Sequence, residues 1–415
     1  MPKSSFIKEA QSRGFIFQTT DLESLDHVMS QKSITAYIGF DPTADSLHVG
    51  SLVQLMLLRL LQKHGHRSIA LLGGGTAQIG DPSFREEARQ LMTDNTIDYN
   101  LKGIKKNIKQ IVEIDTHQRL GILTDNSEWL KKLSYIKLLR EVGIHFSVNR
   151  MLSFDSVRTR LDREQGLSFL EFNYSILQSY DFLELNKRYG AILQMGGSDQ
   201  WGNIVSGVEL IRRMKGEHVF GLTAPLLTTS SGTKMGKTAK GAVWLNPEKC
   251  SVFDFWQYWR NTEDADVGKF LKLFTDLPVE ECERLGSLSG AEINEAKKIL
   301  ATEVTTICHN KMAALQAQQT AEKTFEQGKL VYDGFPEINL LSSELDQGLP
   351  AFRLFVLSKL CPSNAEARRL IRGGGAKIND QKINDENQCI NHTYARNGLI
   401  KLSSGKKNHI LIKLI

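Results

Sequence analysis

The stretch Tyr37-Ile-Gly-Phe-Asp-Pro-Thr-Ala-Asp-Ser-Leu-His-Val-Gly-Ser51 decides the fold. Residues 34–40 are rich in β-forming side chains and predict a strand, which ends at Asp41-Pro42. After the quoted stretch, apolar residues recur at helical spacing, and Gly65 ends this predicted helix. A second strand follows at Ile69–Leu72, so the order is strand, helix, strand. This order is typical of a βαβ unit, and it predicts a parallel α/β sheet.

A polar loop between the first strand and the helix contains Thr43 and His48. In a parallel sheet such a loop lies at the carboxyl end of a strand and faces the amino terminus of a helix. Unpaired backbone N–H groups and the helix dipole attract anions at that point. The loop therefore predicts a site for a phosphate-bearing ligand.

Charge is unevenly distributed along the 415 residues, whose formal net charge is +5. From Leu349 onward there are 12 basic and four acidic side chains, so the net charge of this last part is +8 and that of the rest is −3. A basic terminal domain on a weakly acidic body indicates a polyanionic partner at the C-terminal end. The alternative is a solvated basic face with no partner.

Cysteine usage and hydropathy favour a cytoplasmic protein without a membrane segment. The five cysteines are scattered and include no Cys-x-x-Cys pair, which argues against a disulfide framework and a structural zinc site. No apolar run approaches the length of a membrane span, and the first residues lack the apolar core of a signal peptide.

Two short motifs resemble the signatures of the class I aminoacyl-tRNA synthetases. His48-Val-Gly-Ser51 matches the family's His-Ile-Gly-His in three of four positions if Val counts for Ile, and Ser51 is the departure. Lys234-Met-Gly-Lys237-Thr, on a Gly/Ser-rich loop, is similar to the second signature, Lys-Met-Ser-Lys-Ser. The longer match over Tyr37–Ser51 resembles the tyrosyl-tRNA synthetases of the bacterial and organellar type.

The resemblance implies a Rossmann-like doubly wound parallel sheet in a catalytic domain, followed by a helical domain and a small α+β RNA-binding domain. The expected boundaries are 1–245 for the catalytic domain, 246–330 for the helical anticodon-arm domain, 331–348 for a linker and 349–415 for the RNA-binding domain. A helical insertion at about 126–181 is expected to form a homodimer contact. Further strands are expected at Gly121–Thr124, Ala191–Met195 and Ala224–Thr228.

The family's reaction needs ATP, with Mg²⁺, as a substrate, and no protein metal site is expected. By resemblance, the catalytic residues are Thr43, His48, Arg85, Arg89, Lys234 and Lys237. The residues implied for ATP are Asp41, Gly50, Ser51, Gly197, Asp199 and Lys237. Two lysines three apart on a flexible loop suit a triphosphate, because catalysis of phosphoryl and nucleotidyl transfer relies on positioning and electrostatics.

A third cluster, Tyr174-x-x-x-Gln178-x-x-Asp181, has helical spacing that places its three side chains on one face. By resemblance, the residues implied for L-tyrosine are Tyr37, Thr76, Asp81, Tyr174, Gln178, Asp181, Gln194 and Gln200. Those implied for tRNA in the last domain are Arg368, Arg369, Arg372 and Lys377. A carboxylate and a phenol suit a substrate hydroxyl that both donates and accepts hydrogen bonds.

The implied activity is tyrosine–tRNA ligation in two steps: formation of tyrosyl-adenylate and pyrophosphate, then transfer of tyrosine to the tRNA 3′ end. Three alternatives stay open on the sequence. A tryptophanyl-tRNA synthetase shares the fold and both signatures, and another nucleotidylyl transferase would share the histidine loop. A non-catalytic RNA-binding or splicing cofactor would use the same scaffold without the reaction.

Overall fold

The computed structural model of the chain describes residues 2–83, 91–115, 117, 119–163, 166–232, 235–238, 241–325, 335–346, 348–395, 398–405 and 408–415. The chain divides into two compact units. The first unit comprises Met1–Lys249 and Thr262–Cys308, and the second comprises Cys250–Asn261 and His309–Ile415.

The described helices are, in chain order, α1 (Ser5–Arg13), α2 (Leu22–Gln31), α3 (Val49–Lys63), α4 (Asp94–Ile111), α5 (Ser127–Leu130), α6 (Tyr135–Glu141), α7 (Val148–Leu152), α8 (Asp155–Asp162), α9 (Phe169–Phe172), α10 (Tyr174–Tyr189), α11 (Trp201–Lys215), α12 (Val252–Arg260), α13 (Val267–Phe274), α14 (Val279–Gly286), α15 (Ile293–Cys308), α16 (Lys311–Phe325), α17 (Ala351–Leu357) and α18 (Asn364–Arg372). Within the described residues, no helix combines the length and the hydropathy that crossing a bilayer requires.

The described strands are β1 (Gln18–Thr19), β2 (Thr35–Phe40), β3 (Arg67–Leu72), β4 (Gly121–Asp125), β5 (Ala191–Gly197), β6 (Phe220–Ala224), β7 (Lys237–Thr238), β8 (Gly241–Ala242), β9 (Glu337–Leu340), β10 (Leu349–Pro350), β11 (Ala376–Ile378), β12 (Gln381–Lys382), β13 (Cys389–Ile390), β14 (Leu399–Ser404) and β15 (Asn408–Leu414).

The first unit is built on a six-stranded sheet with the order β1-β6-β5-β2-β3-β4. Strands β2 to β6 are parallel, and β1 is antiparallel to its neighbour β6. From β2 the chain proceeds to β3 and β4 on one side of the sheet and to β5 and β6 on the other. Ligands bind where the strand order reverses in this way, at the carboxyl ends of the strands. The predicted doubly wound parallel sheet is confirmed.

Helices pack on the sheet through their apolar side chains. Helix α3 buries Leu52, Leu55 and Leu58 completely, and it packs against β3 and α4. Side chains of α10 and α11, including Phe182 and Leu210, share a core with Tyr37 of β2. This packing fixes α10, and with it the polar residues of its first two turns, beside the carboxyl edge of the sheet.

The predicted strand at Ala224–Thr228 is wrong in its position. The strand is β6, which ends at Ala224 because the next residue is Pro225. Proline has no backbone N–H to donate to a neighbouring strand, so it ends the ladder.

The segment between β4 and β5 is rich in helices, as predicted, and consists of α5–α9 and the long helix α10. It displays an unusual number of exposed large apolar side chains: Tyr135, Ile136, Leu139, Ile144, Val148, Leu152, Leu161, Phe169 and Leu170. A concentration of exposed apolar side chains in one segment favours a surface that another protein covers.

The second unit contains α12 and α16, which pack against each other, and the α+β fold formed by residues from 335 onward. Its five-stranded sheet has the order β12-β11-β14-β15-β9. Helices α17 and α18 pack on this sheet through Leu354, Phe355 and Ile371. The helices α13–α15 belong to the first unit, so the segment 246–330 is divided between the two units.

Part of the segment predicted as a linker is a strand. Residues Glu337–Leu340 form β9, which is parallel to β15. The sequence Glu-Ile-Asn-Leu alternates polar and apolar side chains, which is the pattern of a half-buried strand. Leu340 is accordingly buried in the core of the second unit.

Candidate active site

A cavity of about 380 Å³ opens at the carboxyl edge of the sheet in the first unit. It is lined by all eight side chains predicted for the amino acid: Tyr37, Thr76, Asp81, Tyr174, Gln178, Asp181, Gln194 and Gln200. The predicted phosphate and nucleotide residues Asp41, Thr43, His48, Gly50, Ser51, Gly197 and Asp199 line the same cavity. The predicted residues Arg85, Arg89 and Lys234 lie outside the described residues, as does the side chain of Lys237.

The inner end of the cavity is formed by Tyr37 on β2 and Asp181 on α10, which are 1% and 2% exposed. The hydroxyl of Tyr37 is buried and has no hydrogen-bond partner among the described residues. Burial raises the pKa of Tyr37 well above its usual value, and the nearby Asp181 adds to this effect. Because a buried polar group without a partner is costly, the hydroxyl is prepared for a polar ligand atom.

Asp181 is held by two side chains that the sequence analysis did not identify as site residues. Trp129 donates its indole N–H to Oδ1 at 2.7 Å, and Asn126 donates its amide to Oδ2 at 2.9 Å. Despite these donors, burial raises the pKa of Asp181 to about 8. The signal for Asn126 was its position directly after β4, at the same edge of the sheet as the other polar residues.

A second carboxylate, Asp41, lies at the end of β2 and receives two hydrogen bonds. Thr76 donates its hydroxyl to Oδ1 at 2.7 Å, and Tyr174 donates its hydroxyl to Oδ2 at 2.8 Å. Burial, followed by the charge of Asp41, raises the pKa of Tyr174 well above its usual value. Tyr174 therefore remains a neutral donor that orients Asp41.

Two further carboxylates, Asp81 and Asp199, contact Gln200 in the turn after β5. The amide nitrogen of Gln200 donates to Asp81 at 2.7 Å and to Asp199 at 3.2 Å. The Asn203 side-chain amide in turn donates to the side-chain oxygen Oε1 of Gln200 at 3.2 Å. Several carboxylates around one cavity make it strongly acidic, which favours the ammonium group of an amino acid.

His48 caps helix α3 with its imidazole. The Nδ1 atom accepts a hydrogen bond from the Gly50 amide at 2.9 Å. Since Nδ1 is the acceptor, a neutral ring carries its proton on Nε2. A Cβ at position 50 would lie 2.6 Å from the imidazole carbon Cε1, so only glycine leaves room for this cap. The role in ATP binding that the resemblance implies for Gly50 remains a prediction.

Of the second signature, the structure describes Met235, Gly236 and the backbone of β7. Gly236 has a φ of +83°, which side-chain-bearing residues rarely adopt, and a Cβ there would lie 3.0 Å from the Gly50 nitrogen. This geometry explains why glycine stands where the related motif has serine. It also shows that the two signature segments lie side by side.

The predicted RNA-binding residues lie on α18 and β11 of the second unit. The Arg368 guanidinium stacks on the ring of Phe352 at 3.9 Å from its centroid. Glu386 pairs with both Arg368 and Arg372, and the latter pairing lowers the pKa of Glu386. Arg369 and Lys377 are exposed.

A doubly wound sheet whose His48 loop lies beside Met235-Gly236, next to a cavity lined by several carboxylates, is typical of a class I aminoacyl-tRNA synthetase. Comparison with known proteins specifies the family. The chain belongs to the tRNA synthetases class I (W and Y), whose family profile matches residues 29–326.

Individual relatives are close over the full length. The chain is 64% identical to the tyrosine–tRNA ligase of Gluconobacter oxydans over 415 residues, which is 100% of both chains. It is 56% identical to that of Agrobacterium fabrum, over 99% of both chains. Among solved structures, a C-terminally truncated mitochondrial tyrosyl-tRNA synthetase from Aspergillus nidulans has a TM-score of 0.70 at 29% identity, covering 77% of this chain and 94% of that one.

Proposed function

We infer that the chain is a tyrosine–tRNA ligase. In the first step the carboxylate of L-tyrosine attacks the α-phosphorus of ATP, which forms tyrosyl-adenylate and releases pyrophosphate. In the second step a hydroxyl of the tRNA 3′-terminal ribose attacks the activated carbonyl, which forms tyrosyl-tRNA and releases AMP. The observation that carries the substrate assignment is the buried pair of Tyr37 and Asp181 at the inner end of the cavity.

This pair favours tyrosine over tryptophan, the other substrate of the family. A phenol hydroxyl donates one hydrogen bond and accepts others, so it can donate to Asp181 and accept from Tyr37. An indole N–H only donates, and it would leave the Tyr37 hydroxyl without a partner. The cost of burying an unpaired polar group therefore acts against tryptophan, and also against phenylalanine.

The remaining cavity residues have roles that follow from their charge. Asp81, Tyr174 and Gln178 bind the ammonium group of tyrosine. Thr76, Gln194 and Gln200 line the same cavity. Thr43 and His48 contact the phosphates that leave as pyrophosphate, and the proton on His48 Nε2 provides a donor for them. Asp41 and Asp199 contact the adenylate, with Gly50, Ser51 and Gly197 beside the nucleotide. Arg85, Arg89, Lys234 and Lys237 complete the set as cationic residues that stabilise the departing pyrophosphate.

ATP brings Mg²⁺ as its own counter-ion, held by the phosphate oxygens. Among the described residues, no cluster of three or more His, Cys, Asp or Glu side chains is arranged to bind a metal. The proposed partner of the second unit is the tRNA, which contacts Arg368, Arg369, Arg372 and Lys377 through its phosphates. We also propose the predicted domain roles, with segment 246–330 facing the anticodon arm, and a cytoplasmic location.

A homodimer is part of the proposal. The exposed apolar side chains between β4 and β5 form a face on the first unit that another copy of the chain is proposed to cover.

The test is pyrophosphate exchange into ATP with the purified chain and no tRNA, with tyrosine, tryptophan and phenylalanine supplied separately. Exchange with tyrosine only is expected. Exchange with tryptophan would contradict the assignment of Tyr37 and Asp181 and retain the family. Absence of exchange with all three, in protein that still binds ATP, would favour a non-catalytic RNA-binding role.

A further inference from the structure

A short segment, Val243–Leu245, connects the two signature segments through backbone hydrogen bonds. On one side, the Val49 N–H donates to the Val243 carbonyl and the Leu245 N–H donates to the Leu47 carbonyl, both at 2.9 Å. On the other side, the Val243 N–H donates to the Gly236 carbonyl at 2.9 Å. The three segments therefore form one small ladder beside the cavity, which Leu47, His48 and Trp244 line.

Trp244, at the centre of this segment, faces His48. The two residues are directly opposite each other in antiparallel pairing, and the flanking hydrogen bonds make them a non-hydrogen-bonded pair. Side chains approach most closely in such pairs. The rings meet edge to face, with centroids 6.0 Å apart and an interplanar angle of 69°, which is a favourable arrangement of aromatic rings. Trp244 also lines the cavity.

The Trp244 ring is itself fixed by a cation. The Lys249 ammonium lies 5.0 Å from the centre of the indole and pairs with the Asp45 carboxylate. Asp45 belongs to the same loop as His48, three residues before it. The lysine therefore joins the tryptophan to the loop that it contacts, and the attraction between the ammonium and the ring limits the movement of the indole.

The contact with Trp244 restricts the orientation of the His48 imidazole. The hydrogen bond from the Gly50 amide to Nδ1 sets the tautomer, but that bond by itself does not fix the plane of the ring. The edge of Trp244 limits rotation of the imidazole about that bond. A donor aimed at charge that develops in a transition state is effective only if its direction is fixed in advance.

We propose that Trp244, held by Lys249 and Asp45, is a positioning residue that orients the His48 imidazole for the adenylate-forming step. This inference rests on the proposed function and deepens it, because it assigns a specific cause to the efficiency of His48. It concerns the rate of tyrosine activation and not the recognition of tyrosine, since Tyr37 and Asp181 lie at the other end of the cavity.

The first test compares Trp244→Leu with Trp244→Phe in ATP–pyrophosphate exchange. Leucine removes the aromatic edge, and we expect kcat to fall by about ten- to a hundredfold, a loss typical of small misplacements of a catalytic group. Phenylalanine keeps an edge and is expected to retain most of the activity. The KM for tyrosine and the melting temperature should change little in either variant. Equal rates for the leucine variant and the wild type would overturn the proposal.

The second test is a double-mutant cycle with His48→Asn. If Trp244 acts through His48, adding Trp244→Leu to the asparagine variant causes little further loss, so the two effects are not additive. Additive losses, or a rise confined to the KM for ATP, would mean that Trp244 acts on ATP directly and would overturn the proposal. Failure of the proposed function is distinguishable, because the wild-type chain would then show no exchange with tyrosine.

Discussion

At the scale of single residues, the cavity separates two kinds of polar group. Asp41, Asp81 and Asp181 all receive hydrogen bonds from neighbouring side chains, so their orientation is fixed before a substrate arrives. The Tyr37 hydroxyl, in contrast, has no partner among the described residues. A polar group that is hydrogen-bonded within the protein contributes to its stability, whereas a polar group that only the substrate can hydrogen-bond contributes to substrate selection.

Tyr37→Phe is therefore expected to affect binding without harming the fold. Removing a buried hydroxyl that has no partner among the described residues should leave the free energy of unfolding unchanged or raise it by about 1 kcal/mol. Tyrosine should bind about tenfold more weakly, because the variant cannot form one hydrogen bond of about 1.4 kcal/mol. Phenylalanine should bind more tightly than to the wild type, because the variant has no hydroxyl at position 37 for it to leave without a partner. Chemical denaturation and equilibrium dialysis measure the two quantities.

Tyr174→Phe is the matched control for that experiment. Its hydroxyl donates to Asp41 at 2.8 Å, so its removal leaves a half-buried carboxylate with one donor fewer and should destabilise the ligand-free chain by about 1–3 kcal/mol. If Tyr37→Phe destabilised the chain as much as Tyr174→Phe does, the Tyr37 hydroxyl would have a structural role in place of the proposed role in selection.

The sequence predicted the residues that line the cavity more completely than the neighbouring side chains that hold them in place. Tyr174, Gln178 and Asp181 were recognisable because helical spacing places them on one face. Asn126 and Trp129 were not, because their role is a contact with Asp181 more than 50 residues away, and the position of Asn126 after β4 predicts its place at the sheet edge but not that contact. Trp244 was missed for the same reason, since its pairing with His48 joins segments that are almost 200 residues apart.

At the scale of elements, strands and helices with a strong pattern were predicted well, and segments defined by their neighbours were not. β2, β3, β4 and β5 occur where their β-forming runs predicted them. β9 has only four residues in a polar segment, and its formation depends on the parallel partner β15. The division of segment 246–330 between two units also follows from tertiary packing and has no local signal.

The apolar face of the helices between β4 and β5 gives a prediction at this scale. Ile144 and Phe169 are 75% and 69% exposed, so an aspartate at both positions changes little within one chain but places charges in any interface that covers them. We expect Ile144→Asp/Phe169→Asp to reduce the mass in solution from that of two chains to that of one. Light scattering coupled to size-exclusion chromatography measures this mass.

Phe17→Asp is the control, because Phe17 is 59% exposed and lies outside this helical segment. It should leave the mass unchanged. A wild-type chain that is already monomeric at micromolar concentration, or a double variant that remains dimeric, would contradict the proposed interface.

At the scale of the whole molecule, the chemistry of activation and the binding of tRNA are assigned to different units. All cavity residues belong to the first unit, whereas the basic residues of α18 and β11 belong to the second. A reaction in two steps can therefore be altered at one step and retained at the other. The net charge of +8 after Leu349 supplies the long-range attraction for a polyanion.

Arg369→Ala/Lys377→Ala tests this division, because both side chains are exposed, whereas Arg368 and Arg372 form ion pairs with Glu386. Exchange without tRNA should be unchanged within about twofold. The KM for tRNA in aminoacylation should rise about tenfold, or about 1.4 kcal/mol. The slope of log affinity against log salt should decrease by about one for each phosphate that no longer has a cation beside it. Lys8→Ala/Lys102→Ala removes the same charge from α1 and α4 of the first unit and should leave that slope unchanged. An equal loss of affinity in both double variants would mean that net charge, and not this face of the second unit, attracts the tRNA.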